Sequence, residues 1–443
     1  MFRVPSPGGF VYDAVMPSLI PPEVPPVIAG FRPDGPGPVL PVERIETLDV
    51  LRGFALFGIL LVNMALFGWP VYQLVLGNPM GTASRADAVA GWTIRILAEG
   101  KFYSLFSFLF GVGVAIQMER ADAHGVPFAG RYARRLTALF GIGLAHTLLL
   151  WEGDILVLYA ILGFLLLAFL RCQSRTLLIW AAVFLALPVL LYAAFWVLFA
   201  VASMLPNVAG MIEKELAAAN ESYARQSEEN LRVFAQGGMG EIFVQRGRNV
   251  AFLYQFVWVV ASMVFPMFLL GFCAGRRGIL RHVGANLPWV RRVGVWGLLI
   301  GLPASGVYAL GHAASDASNV NFASVVALGA LAISGPALGL CYASGLVLLL
   351  QREGWRRALQ PVAAAGRMAL SNYLFQSLVC TTLFYSYGLG WYGSVGMAAG
   401  AGLAVVIYAV QLPLSVWWLK RFRFGPAEWL WRRLTYGREA MRR

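Results

Sequence analysis

Charge is scarce in this sequence. Asp, Glu, Lys and Arg make up 13% of its 443 residues, while apolar residues make up 59%. A soluble domain carries about twice that charged share. So few charges cannot cover the roughly two or three soluble domains that such a length allows, and most of the surface is expected to face lipid. Cysteine is scarce as well. Cys172, Cys273, Cys341 and Cys380 sit in or beside apolar runs with no paired spacing. They read as small buried hydrophobes, which argues against a disulfide framework and against a metal site. Phosphate-cradling glycine loops, zinc motifs and nucleophile elbows are missing, and no internal sequence repeat stands out.

No cleaved signal peptide is expected either. The first 41 residues hold 11 of the 23 prolines and no apolar core of adequate length, and the first long apolar run starts near Leu51. That start is too late for a signal. Residues 1–43 therefore read as a disordered, Pro-rich cytoplasmic tail. Beyond them come ten apolar segments of spanning or near-spanning length, at about 50–70, 102–119, 136–151, 154–171, 177–204, 251–274, 293–313, 321–350, 362–386 and 393–418. The fold class this predicts is all-α, a polytopic transmembrane helix bundle of about ten spans with both termini cytoplasmic. Spans one to five fall in 44–204 and six to ten in 251–420. Between them, 205–250 reads as an extracytoplasmic amphipathic loop, either a lid or a simple connector. Residues 421–443 form a basic cytoplasmic tail.

The net charge of +13 tests that topology. With a cytoplasmic amino terminus, 27 of the 35 basic residues fall on the cytoplasmic side, and five of the other eight lie in the 205–250 loop. Membrane proteins collect Lys and Arg on cytoplasmic segments. The basic excess is therefore topological, with no need for a nucleic-acid partner, although some arginines remain available to grip an anionic ligand. The composition leaves room for a homo-oligomer.

Polar side chains within spans are costly and so informative. His146 lies near the end of the third segment, in GIGLAHTLLLWEGDIL, and Asp154 opens the fourth just past the two-residue turn Glu152–Gly153. A carboxylate beside an imidazole fixes its tautomer and raises the basicity of the far nitrogen, which suits a general base. The structural alternative is a helix-bridging histidine with Asp154 as a helix N-cap. Asp49 and Arg52 stand at i and i+3 at the start of span one, either as an interfacial ion pair or as a contact for an anionic cofactor. Asn372 and Gln376 share a face of span nine, and Asn63 lies deep in span one. These amides either join helices or line a polar tunnel. Lys101 is expected to snorkel to the interface, with Glu99 as its partner. Prolines 188, 266, 303, 336 and 413 sit inside spans and can kink them.

Several motifs occur together in order: LDVLRGFALFGILLVNM, KFYSLFSFLFGVGVAI, the RRL…GLAHTLLLWEGDIL…YA run, and GRMALSNYLFQS followed by GPAEWLWRRLTYG. From about Arg44 to Gly437 the chain resembles the YeiB-like family of bacterial inner-membrane proteins, whose function is largely unknown. That family is similar to a wider group of transmembrane acyltransferases. Among them are enzymes that acylate surface glycans and the lysosomal enzyme that acetylates heparan glucosamine. The resemblance implies a multi-pass protein of the bacterial inner membrane. It also implies an acetyl-CoA or other acyl-CoA donor on the cytoplasmic side, a histidine within the membrane, and an acceptor on the far side. Some family members are linked to transport.

The leading expectation is transfer of an acyl group across the membrane to an alcohol or amine of a glycan, lipid or small molecule. Arg52 with Asp49 would receive the acyl-CoA phosphates, and Asn63, Asn372 and Gln376 would line the tunnel for the acyl arm. His146, oriented by Asp154, would be the general base. Arg52 and Asn63 are 11 residues apart, roughly 16 Å of helical rise, which a thioester arm can reach. The rival is a transporter using the same polar residues. Proline-kinked spans fit it, but the scarcity of acidic residues in mid-span argues against a proton-coupled carrier. A purely structural role would let His146 tolerate substitution.

Overall fold

The structure, a computed structural model, describes residues 45–73, 84–315 and 321–437. The expected Pro-rich tail lies outside these residues. Sixteen α-helices make up the described chain, and it contains no strand. In chain order they are α1 Glu46–Gly68, α2 Arg85–Leu97, α3 Lys101–Ala123, α4 Phe128–Leu149, α5 Leu156–Leu166, α6 Ser174–Ala202, α7 Pro206–Gln236 and α8 Met239–Gln255. They continue with α9 Val257–Arg276, α10 Val283–Ala314, α11 Phe322–Leu349, α12 Glu353–Ala358, α13 Gln360–Arg367, α14 Ala369–Phe384, α15 Met397–Arg421 and α16 Pro426–Tyr436.

The all-α bundle expected from the apolar runs is what forms, and each of the ten runs falls on helix. By length and composition, seven helical stretches among the described residues suit a membrane crossing. They are α1, the α2–α3 stretch Arg85–Ala123, α6, α9, α10, α11 and α15. The other three runs differ for local reasons. Helix α4 begins earlier than the apolar run and carries Arg131, Arg134 and Arg135 in its first half. Helix α5 has only 11 residues and continues as a single 3-10 turn, Leu167–Phe169. The 362–386 run is not one helix. It breaks at Met368, whose backbone (φ −110°, ψ 32°) leaves helical geometry between α13 and α14. That break frees the first amides of α14, and a distant carboxylate takes them up.

Buried and exposed faces divide as a lipid-embedded bundle requires. Helix α9 packs against α3 and α6 at the centre, with Phe265, Phe268, Leu269 and Phe272 all buried. Helices α10 and α11 form a tight pair, because Gly297 and Gly301 of α10 lie directly against Ala337, Leu338 and Cys341. By contrast α6 exposes Leu190, Phe195, Leu198 and Val201 along its length. Such apolar faces are costly in water and fit a hydrocarbon solvent. Residues 205–250 fold as α7 and the larger part of α8, joined by Gly237 and Gly238. On that joint Arg232 bridges Glu229 and Glu241, and Glu241 accepts the Gly238 amide at 3.0 Å.

Candidate functional site: a cavity beside a buried histidine

Helices α1, α3, α4, α5, α14 and α16 surround a cavity of about 340 Å³. Its lining changes character along the helices. Towards the start of α1, the end of α3 and the start of α4 it presents Asp49, Arg52, Gln117, Arg120, Arg131 and Arg135. Arg367, Arg423 and Arg432 join from the ends of α13 and α15 and from α16. Seven guanidiniums thus meet only two carboxylates, those of Asp49 and Glu428. Further along, the wall is Leu56, Phe106, Phe110, Leu139, Leu156 and Tyr373. A dense guanidinium cluster grips phosphate or carboxylate well, while the apolar depth favours a hydrocarbon-rich arm. The Tyr132 hydroxyl lies in this wall, buried and without a partner among the described residues.

His146 is fully buried on α4. Its Nδ1 lies 2.8 Å from Asp154 Oδ1, and the other oxygen of Asp154 accepts the Val157 amide at 2.9 Å. Asp154 therefore contacts the imidazole with one oxygen and a first-turn amide of α5 with the other. Close approach of the two helices is needed for this. Gly143 of α4 faces Asp154 and Val157 with no room for a Cβ, so α5 can come near enough for the carboxylate to reach the ring. With Nδ1 engaged by the carboxylate, Nε2 is the nitrogen left over, buried and unpartnered among the described residues. An orphaned buried nitrogen of this kind calls for an explanation.

The imidazole does not itself line the cavity. Tyr373 connects the two. It lies in the cavity wall, and its ring centre stands 5.1 Å from that of His146. On the other side Trp151 approaches the imidazole edge-on at 6.4 Å and stacks on Phe67 at 3.9 Å.

The remaining expected site residues fare unevenly. Asp49 and Arg52 pair at 3.3 Å and both face the cavity. Asn63, Asn372 and Gln376 do not line it. This corrects the tunnel assignment, and for Asn372 and Gln376 the reason is hydrogen bonding to neighbouring helices. Asn372 donates to the Ala365 carbonyl at 3.1 Å and to Ser415 Oγ at 3.0 Å. Gln376 donates to Gln411 at 2.8 Å, and Gln411 donates to the Asn372 carbonyl at 3.0 Å. Through these bonds the amides join α13, α14 and α15. Lys101 does not snorkel. It is fully buried, donating to the Arg95 carbonyl at 3.1 Å with the Tyr308 ring 5.7 Å away.

Two groups went unrecognised in the sequence. One is the membership of the arginine cluster: Arg52 is expected at an anionic ligand, but the sequence does not single out Arg120, Arg131, Arg135, Arg367, Arg423 and Arg432 as its companions. The spacing of Arg131 and Arg135, one helical turn apart, was a usable signal. The other is Glu152, which seemed only to fill a turn. It is buried, accepting from Asn249 at 2.8 Å and from the Tyr385 hydroxyl at 3.3 Å. Asn249 also donates to Asn230 at 2.8 Å, and Arg246 donates to the Leu148 carbonyl at 2.9 Å. Helices α7 and α8 are thereby bonded to the turn that carries the His146–Asp154 pair.

Fold and site together define an all-helical, membrane-type protein with an arginine-mouthed cavity beside a buried His–Asp pair. Residues 274–438 match a family described as protein of unknown function (DUF418). The chain is 38% identical over 413 residues to the uncharacterized protein YxaH of Bacillus subtilis (strain 168), covering 90% of this chain and 96% of that protein. It is 30% identical over 419 residues to an uncharacterized 39.9 kDa protein of Bacillus acidopullulyticus, covering 91% and 96%. It is 28% identical over 429 residues to the uncharacterized protein YeiB of Escherichia coli (strain K12), covering 89% and 97%. The chain belongs to this YeiB-like, DUF418 family, as its motifs suggested. None of these relatives carries an activity in its name.

Proposed function

We propose that this protein is a membrane-embedded acyltransferase. It takes an acyl group from an acyl-CoA such as acetyl-CoA and passes it to a hydroxyl or amine of a glycan, lipid or small molecule. The observation that carries the reading is the grading of one cavity, from seven guanidiniums to an apolar wall that ends at Tyr373, the side chain shared with His146. The donor set fits a polyanionic head on a slender, mostly apolar arm. Arg52, Arg131 and Arg135 would hold phosphates, and the Tyr132 hydroxyl would gain a partner. Orientation follows the basic-residue count: the arginine mouth opens to the cytoplasm of a bacterium, and the chain lies in the inner membrane.

The chemistry asked of the protein is modest. An acyl thioester supplies an activated carbonyl. His146 Nε2 takes the proton of the acceptor hydroxyl or amine as its oxygen or nitrogen bonds to that carbonyl. The carbon–sulfur bond breaks, and the departing thiolate takes the proton back from the imidazolium. Asp154 holds Nδ1–H throughout and stabilises the transient positive charge.

The test is transfer of label from radioactive acetyl-CoA to a panel of amino sugars, glycolipids and phospholipids by protein in lipid nanodiscs. Transfer that disappears in His146→Ala supports the reading. Absence of His146-dependent transfer to every acceptor sinks it. Uptake of an acceptor into vesicles with no donor present would favour a carrier instead.

A further inference from the structure

The tail beyond residue 421 reads as a basic extension in the sequence, yet α16 builds part of the cavity. Glu428, Trp431, Arg432, Thr435 and Tyr436 all line it. The helix is held by two specific contacts. Glu428, buried, accepts the Leu370 amide at 2.7 Å and the Ser371 amide at 3.1 Å, and it also accepts the Ser371 hydroxyl. These are the first amides of α14, freed by the break at Met368, and a carboxylate is the partner that a helix N-terminus favours. The Ala427 amide returns the bond, donating to Ser371 Oγ at 3.0 Å.

The second contact bears on ligand binding. The Trp431 ring lies 3.7 Å from the Arg135 guanidinium, and its indole N–H donates to the Arg135 carbonyl at 2.8 Å. One side chain therefore grips Arg135 twice, at the backbone and over the flat face of the guanidinium. Stacking of this kind limits the motion of the guanidinium and leaves its edge to hydrogen bonding, where the Tyr436 hydroxyl is one partner. A pre-oriented guanidinium loses less entropy on binding an anion.

We propose that the carboxyl-terminal helix is a working wall of the donor site, latched by Glu428, with Trp431 as a positioning residue that aims Arg135 at the anionic head of the donor. The inference rests on the acyl-CoA reading of the cavity and adds to it the segment that governs donor affinity. Trp431 would then act on donor KM and leave kcat near its starting value.

The test uses the full chain in detergent, with adenosine 3′,5′-bisphosphate as the probe and calorimetric affinity as the readout. Trp431→Ala is expected to weaken binding roughly tenfold. Trp431→Phe, which keeps the aromatic face and loses only the indole N–H, should recover most of that loss. In an Arg135→Gln background, Trp431→Ala should add almost nothing, because the group it positions is gone. Equal weakening in both backgrounds, or no weakening in either, overturns the inference while leaving the donor reading intact. If the unaltered protein fails to bind the bisphosphate, the donor reading itself is overturned.

Discussion

His146 Nδ1 and Asp154 Oδ1 meet at 2.8 Å across a turn that begins at Leu150 and ends at Ile155. The pairing exists because α5 starts with Asp154 as its cap and because Gly143 lets the two helices close up. Asparagine at 154 can keep the shape of the contact but not the charge, and its amide N–H can donate to Nδ1 and so leave the ring proton on Nε2. We expect Asp154→Asn and His146→Ala each to lower acyl transfer by about 10²- to 10⁴-fold. Asp154→Asn should shift the melting temperature little. A rate in Asp154→Asn equal to that of the unaltered protein would refute the base assignment.

Arg52 pairs with Asp49 at 3.3 Å in a long, partly exposed contact. Such a pair adds little to stability. Replacing Arg52 by Gln should therefore raise donor KM by about tenfold, the loss of one charge-assisted bond, while the melting temperature stays put. A change in melting temperature with no change in KM would reverse that assignment.

The amide set of α14 and α15 predicts the opposite signature. Asn372→Ala removes a donor from the Ala365 carbonyl and from Ser415 Oγ, and Gln376→Ala removes the donor to the Gln411 side-chain carbonyl. Each substitution should destabilise the bundle by about 1–3 kcal/mol without altering donor KM. Thermal unfolding in nanodiscs, run beside donor titrations, measures both quantities. A raised KM at unchanged stability would restore these residues to the ligand site.

Glu152 is the most consequential of the buried acids outside the His146–Asp154 pair. Glu152→Ala removes the partner of Asn249 and Tyr385 and leaves Arg246 without its nearest carboxylate, 3.9 Å away. Breaking a buried charged network costs about 3–5 kcal/mol. We expect a large drop in melting temperature and protease sensitivity first at the α7–α8 pair. Near-native stability in this variant would show that the network is dispensable.

Burial pushes the Glu428 carboxyl up from its ordinary range, more than its hydrogen bonds to Ser371 and Leu370 bring it down. The folded state therefore holds that proton more tightly than the unfolded chain. The linked stability is fully present below the ordinary glutamate range and is lost as pH rises through the raised value. Seating of α16, followed by Trp431 fluorescence, should weaken over that rise in the unaltered protein and be flat in Glu428→Gln. An identical pH profile in both would exclude Glu428 as its source.

The helical bundle and the His–Asp pair were legible in the chain because each depends on near neighbours. Apolar runs of spanning length declare helices in lipid whatever packs beside them. A histidine in the last turn of one helix and an aspartate eight residues on, at the start of the next, can meet within one helical hairpin. Asn372 and Gln376 misled for the opposite reason. Their shared face was correctly inferred, but whether that face met a cavity or Gln411 and Ser415 depended on how α15 lies against α14.

By itself, then, the sequence determined the solvent the protein lives in, its all-helical class, its family and its one buried imidazole with a carboxylate neighbour. Tertiary structure alone decided which arginines converge, since Arg52, Arg135, Arg367 and Arg432 come from four separate helices. It also turned the basic tail into a cavity wall and Glu152 into the centre of a network. The physical reason is range: backbone hydrogen bonding and hydropathy act within a segment, while a binding site is assembled by packing between segments far apart in the chain.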